Sequence, residues 1–259
     1  MTALPPLALF TDLDGCLLNK HDYDFAPALP VLERLQRLEI PVILSSSKTE
    51  AEMRPLSVEL GLDGCPLVCE NGGIVIWNQR TERQILGVPC ERILELLHTL
   101  RDRFEFRSFD DLGVDGVMEA TDLPREKAAA ACDRVCTQPL QYLDQPDRVA
   151  ELQSEIESHN LTLTRGGRFW HVAGKTTKGV GMQWLLDSHR ETKPKSIAIG
   201  DSPIDQSMLD IADYPIGIPH PDGSCHVHIG ESGRLAQASG SEGWREAVSA
   251  LLCELGFPE

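Results

Sequence analysis

The chain has 259 residues, 41% apolar and 25% charged, enough to bury one large core or two modest ones and unlike the polar mixtures that stay disordered. Twenty-four Lys and Arg against forty Asp and Glu leave a net charge of −16, which excludes nucleic acid as the general partner while leaving room for a local basic pocket. No run approaches the roughly 18 apolar residues of a membrane span, and residues 1–6 lack the basic start and apolar run of an export signal, so a cytoplasmic protein with no membrane partner is expected.

Leu7-Ala8-Leu9-Phe10 is apolar without alternation, the mark of a strand buried on both faces of a parallel sheet, and it ends in Thr11-Asp12-Leu13-Asp14-Gly15. Leu29, Leu32, Leu35 and Leu38 give helical spacing over 27–38, and an apolar strand over 41–44 runs into Ser45-Ser46-Ser47-Lys48-Thr49, completing a βαβ unit. Thr49 with Glu52 forms a capping-box pattern, so a helix is expected to about residue 60, stopped by Gly61. A third strand over 66–69 ends at Glu70-Asn71-Gly72-Gly73.

From about residue 80 the charges are denser. Helices over 90–103 and 125–135, with strand-like 104–106 and 161–164, predict a separate α+β module. The first pattern returns with a helix over 178–189, a strand over 196–199 and then Gly200-Asp201-Ser202-Pro203-Ile204-Asp205. The Gly- and Ser-rich stretch 219–243 reads as loop before a last helix over 244–255. An α/β core of 1–81 and 172–259 with an α+β insertion at 82–171 accounts for this order.

Eight cysteines scattered through the chain read as reduced thiols. The pairs Cys65/Cys69 and Cys132/Cys136 lack the tighter spacing and convergent partners of a zinc site, and Cys225-His226-Val227-His228 reads as surface histidines. Ligands of open parallel sheets bind beyond the carboxyl ends of the strands, so the polar clusters ending the apolar strands should share one crevice. Asp12 and Asp14 stand two positions apart at the first strand exit. A calcium loop counted from Asp12 would need Gly and Glu where Leu17 and Tyr23 stand; a plain Asp-Gly turn is the simpler alternative. Asp201 and Asp205 add two more carboxylates, a convergence that calls for a hard cation such as Mg²⁺. With the Ser46 hydroxyl and the Lys178 ammonium they make a phosphoryl-binding set.

These residues, Asp12-Leu13-Asp14-Gly15-Cys16, Ser46, Lys178 and Gly200-Asp201-Ser202-Pro203-Ile204-Asp205, occur in the order of the four motifs of the haloacid-dehalogenase superfamily, which the whole chain resembles. The insertion resembles the cap of its Cof-like subgroup. Ser46-Ser47-Lys48-Thr49, Glu70-Asn71-Gly72-Gly73, Arg165-Gly166-Gly167-Arg168-Phe169-Trp170-His171 and Gly240-Ser241-Glu242-Gly243-Trp244 narrow the likeness to the mannosyl-3-phosphoglycerate phosphatases. The resemblance implies a Rossmann-like parallel sheet core of that superfamily's type with a C2-type cap that sets specificity. It also implies hydrolysis of mannosyl-3-phosphoglycerate to the compatible solute mannosylglycerate through an aspartyl-phosphate.

In that scheme Asp12 is the nucleophile and Asp14 the general acid and base. Mg²⁺ is held by Asp12, the Asp14 carbonyl and Asp201, with Asp205 acting directly or through water, and Ser46 and Lys178 hold the phosphoryl oxygens. Lys48, Asn71 and Arg168 are candidates for substrate binding. Lys48 reads equally as a surface lysine, Asn71 as a turn residue, and Arg168 as a solvated arginine beside a glycine hairpin; Lys175 is a lesser candidate for phosphate. Cys16 in place of threonine and Ile204 in place of asparagine depart from the usual motifs; the second could loosen support of the metal. Glucosyl-3-phosphoglycerate or broader sugar-phosphate hydrolysis, a phosphomutase and a non-catalytic sugar-phosphate sensor are the alternatives. The sequence leaves the oligomeric state open.

Overall fold

Leu7 and Leu9 pack into the apolar layer on one side of the first strand, Ala8 and Phe10 into the layer on the other, so an uninterrupted apolar run is what this position requires. The computed structural model describes residues 6–77, 81–166, 168–188 and 194–258. β1 (Leu7–Thr11), α1 (Leu29–Arg37), β2 (Val42–Ser45), α2 (Glu50–Glu59) and β3 (Leu67–Cys69) follow the expected βαβ order, and β4 (Ile74–Trp77) and β5 (Glu82–Ile85) extend the sheet. The insertion holds α3 (Cys90–Leu100), β6 (Phe106–Ser108), α4 (Phe109–Thr121), α5 (Arg125–Cys132), β7 (Thr137–Tyr142), α6 (Val149–Ser158), β8 (Thr162–Arg165) and β9 (Trp170–Ala173). The chain then returns through α7 (Lys178–Ser188), β10 (Lys195–Gly200), α8 (Gln206–Leu209), β11 (Tyr214–Gly217), β12 (Arg234–Leu235) and α9 (Gly240–Glu254).

The large sheet has the order β12-β11-β10-β1-β2-β3-β4-β5 and is parallel except at β4 and β5, which pair antiparallel. Thr49 and Glu52 close the expected capping box on α2. α9 is fastened to the centre of the sheet by Trp244, fully buried, whose Nε1 donates to Thr11 Oγ1 at 2.9 Å. The second sheet is antiparallel with the order β6-β7-β9-β8. One face is covered where Ile93 and Leu97 of α3 and Leu152 and Ile156 of α6 meet Leu140, Leu163 and Val172.

Several expectations shift. β5 still belongs to the large sheet and β9 to the small one, so the changeovers fall after 81 and after 171; hairpin pairing with β4 decides the first and pairing with β7 and β8 the second. The stretch 219–243 contains β12 and the first turn of α9. β4, β5, α4, β7, α6 and β11 were not legible. Pro139 interrupts the pattern of β7, Pro215 that of β11, and Gly113 with φ +58 puts a kink in α4. Residue 189, the expected end of α7, lies outside the described residues.

Candidate active site

β1 delivers Asp12 to the carboxyl edge of the sheet, where its N–H still bonds Ile199 O at 2.9 Å. A tight turn follows, with Gly15 N donating to Leu18 O at 2.8 Å and Leu18 N to Leu13 O at 2.8 Å. Gly15 has φ +96, and a Cβ there would stand 2.5 Å from Asp201 Oδ2. Glycine is therefore required twice over, for the backbone and for the approach of motif-one and motif-four loops.

Lys178 opens α7 and is buried between two of the carboxylates, donating to Asp12 Oδ1 at 2.5 Å and Asp205 Oδ1 at 2.6 Å. Burial opposes its charge, but these two carboxylates outweigh it and hold the lysine protonated. Asp205 Oδ2 accepts from Asp201 N at 3.1 Å, Ser202 N at 3.0 Å and Ser202 Oγ at 2.9 Å. Of the two expected roles of Asp205 at a metal, direct or through water, this bonding favours the second. Protein donors occupy both oxygens, and it braces Lys178 and the Asp201 loop.

Asp12 and Asp201 are the carboxylates open to a cation. Burial raises the affinity of Asp12 for protons; Lys178 offsets this, and the charges of Asp205, Asp201 and Asp14 add to it. Burial, with Asp205 next, pushes Asp201 up to about 6. Lys20, 3.9 Å from Asp201 Oδ2, and Lys178 offset this only in part. Carboxylate oxygens of Asp12 and Asp201 and the Cys16 sulfur lie within 4.8 Å of one another, all buried, and the two hard oxygen donors fit a divalent cation such as Mg²⁺.

Asp14 faces Lys48, whose Nζ donates to Oδ2 at 2.6 Å, while Asp14 Oδ1 is buried with no hydrogen-bond partner among the described residues. Lys48 is thus turned onto the candidate acid. Burial works against its charge, and Asp14 and Glu52 raise its proton affinity beyond that effect. Ser46 is buried after β2, its N–H on Val68 O at 2.9 Å and its hydroxyl accepting from Lys48 N at 3.3 Å. Asn71 sits in the same crevice edge: its N–H donates to Ser46 O at 2.9 Å, its φ is +55, and its buried Oδ1 has no partner among the described residues. The neighbouring Gly72 has φ +88 and leaves no room for a Cβ, which would stand 1.9 Å from Thr177 O. This close approach joins the β3 exit to the start of α7.

Arg168 is not brought to these groups by any described contact. It is exposed between β8 and β9, with Nη1 donating to Thr121 O at 3.0 Å. Gly167 beside it lies outside the described residues. Lys175 is exposed, 3.4 Å from Asn160 Oδ1. None of the eight cysteines forms a disulfide among the described residues.

One residue escaped the sequence reading and another was quoted there without a role of its own. His220 Nε2 lies 3.1 Å from Asp201 Oδ2, and with Gly15, Asn19, Lys20, Asp201 and Gly240 it lines a cavity of about 270 Å³. It follows β11, so recognising that strand would have exposed a further strand exit. The other is Glu70, fully buried, whose carboxylate accepts from Val135 N at 2.9 Å, Cys136 N at 3.0 Å and Thr137 Oγ1 at 2.6 Å. Thr49 Oγ1 donates to Ala130 O at 2.8 Å and Arg134 Nη1 to Ser47 O at 3.1 Å. The loops bearing Ser46 and Asn71 are thereby fixed to the insertion.

The sequence profile described as haloacid dehalogenase-like hydrolase matches residues 9–218. Among solved structures, a protein from Thermoplasma acidophilum superposes with a TM-score of 0.73 at 18% identity, over 98% of this chain and 99% of that one. A haloacid dehalogenase-like hydrolase from Bacteroides thetaiotaomicron gives 0.70 at 19% identity, over 95% and 99%. A structure described as a subclass IIB sugar phosphatase gives 0.68 at 14% identity, over 94% and 98%. At these identities the likeness is one of fold.

Proposed function

The chain belongs to the haloacid dehalogenase-like hydrolases, and on that premise we propose that it is a Mg²⁺-dependent phosphomonoesterase that hydrolyses mannosyl-3-phosphoglycerate to mannosylglycerate and phosphate. One observation carries the reaction type: a single buried ammonium, Lys178, spans Asp12 and Asp205 at 2.5 and 2.6 Å with Asp201 alongside. That is a nucleophile held beside a cation site.

Lys178 holds Asp12 Oδ1, which leaves the other carboxylate oxygen to attack phosphorus. As the bond to the leaving oxygen breaks, Asp14 hands that oxygen a proton and an aspartyl-phosphate remains. Asp14 then takes a proton from water as the water oxygen attacks phosphorus, and the bond from phosphorus to Asp12 breaks. Oδ1 of Asp14 is the oxygen open to this exchange, because Oδ2 is occupied by Lys48. Ser46 and Lys178 orient the phosphoryl oxygens. Asp12, Asp201 and the Asp14 carbonyl would hold Mg²⁺, which would supply the positive charge that phosphoryl transfer needs.

The sugar-glycerate substrate is supported by the motif phrases that include Asn71 and Arg168, and by a fold shared with a sugar phosphatase. The insertion from α3 to β9 acts as the specificity cap. The unpartnered Oδ1 of Asn71 accepts a substrate hydroxyl, and the guanidinium of Arg168 suits the glycerate carboxylate. Lys48 uses one of its three donors on Asp14 and offers the others to substrate.

Phosphate release with Mg²⁺ across mannosyl-3-phosphoglycerate, its glucosyl counterpart and common hexose phosphates, beside Asp12→Asn, tests this reading. A kcat/KM for the mannosyl compound higher by orders of magnitude, with Asp12→Asn inactive, is expected. Flat turnover overturns the substrate; an isomer without net phosphate release makes the protein a mutase; no turnover makes it a sensor.

A further inference from the structure

Cys16 follows the two motif-one carboxylates and is fully buried, yet no hydrogen bond to its sulfur is formed among the described residues. Cys16 lies with Leu13 and Leu17 in the apolar core below the turn. The thiol itself lies within 4.8 Å of oxygens of both Asp12 and Asp201. Tetrahedral coordination of a zinc-sized ion by oxygen and sulfur places those donors on the order of 3.5 Å apart. The three donor atoms are thus gathered within 4.8 Å of one another, a partial ligand set that solvent would complete. Gly15 keeps the turn pressed against Asp201, since a Cβ there would overlap its Oδ2 at 2.5 Å.

We propose that Cys16 is a sulfur ligand of this centre for thiophilic divalent cations, so that the site offers Asp12 and Asp201 to a hard ion and adds Cys16 for a Zn²⁺- or Cd²⁺-like ion. The inference rests on the cation site of the proposed function. As the sulfur–metal bond forms, the thiol proton leaves to solvent. A bound divalent charge favours the thiolate as its ligand. Soft sulfur favours such ions over Mg²⁺, so the site has a built-in sensitivity to them that an all-oxygen set lacks.

The test is titration of the full chain, with the exposed Cys225 and Cys253 replaced by serine, using Cd²⁺ and, separately, Mn²⁺. The first is read by the thiolate-to-metal charge-transfer absorption and the second by electron paramagnetic resonance. One Cd²⁺ per chain with a charge-transfer band, suppressed by excess Mn²⁺ and lost in both Cys16→Ser and Cys16→Thr while Mn²⁺ still binds, is the expected result. Cd²⁺ binding without the band, or a band that survives both variants, overturns the sulfur ligand and leaves the cation site standing. Failure of both ions to bind the parent protein overturns the cation site and the sulfur ligand together.

Discussion

Lys48 Nζ donates to Asp14 Oδ2 at 2.6 Å, while Asp14 Oδ1 is buried without a hydrogen-bond partner among the described residues. One lysine thus divides a carboxylate into a held oxygen and an open one. Charge-assisted hydrogen bonds contribute about 1.5–3 kcal/mol, so Lys48→Met is expected to lower kcat/KM roughly 10- to 100-fold, chiefly in kcat. Steady-state kinetics checks this; an unchanged kcat with a raised KM would return Lys48 to substrate binding alone.

Asp14→Asn separates the two half-reactions. p-Nitrophenyl phosphate has a leaving group that needs no proton, so the first step should proceed and the second, deprived of its base, should slow by about 10²- to 10⁴-fold. A burst of one equivalent of nitrophenol per chain and a phosphorylated protein by intact mass are expected. Uniformly slow release with no burst would remove Asp14 from the second step.

Glu70 ties the β3 exit to the insertion through four donors on residues 135–137. In Glu70→Gln the amide group faces donors it cannot accept from, so a loss of about 2–4 kcal/mol in stability is expected. Chemical denaturation gives the magnitude, and amide exchange should quicken at Val135 and Cys136. Unchanged exchange there would show that the junction is held by other contacts.

His171 is buried on β9, and burial followed by the Arg134 charge lowers its pKa from 6.5 to about 3. The folded protein keeps it neutral where the unfolded chain protonates. The stability it contributes is therefore present above pH 6.5 and is lost as pH falls toward 3, at about 1.4 kcal/mol per pH unit for one proton. Denaturation at pH 7, 5.5 and 4.5 should show His171→Gln gaining on the parent protein as pH falls. A pH-independent difference between the two would contradict the neutral, buried imidazole.

The core strands and the motif carboxylates were legible because each is a local pattern. An apolar run buried on both faces needs no partner to be recognised, and Asp12, Asp14, Asp201 and Asp205 stand at the ends of such runs. The insertion was less legible. β7 and α4 carry Pro139 and Gly113 inside their spans, and the antiparallel partners that hold Pro139 in β7 are distant in sequence.

By itself, the sequence determined the α/β order, the strand exits that carry chemistry and the net excess of acid over base. Only the tertiary structure decided the division of labour among the charges. Lys178 reaches across 166 residues to Asp12, Asp205 uses both oxygens as a brace, Lys48 turns to Asp14, and Cys16 meets the two open carboxylates. The physical reason is that a side chain's residue type defines what it can donate or accept, whereas its actual partner depends on which loops a parallel sheet gathers at one edge. Burial there makes each pairing or missing partner energetically decisive.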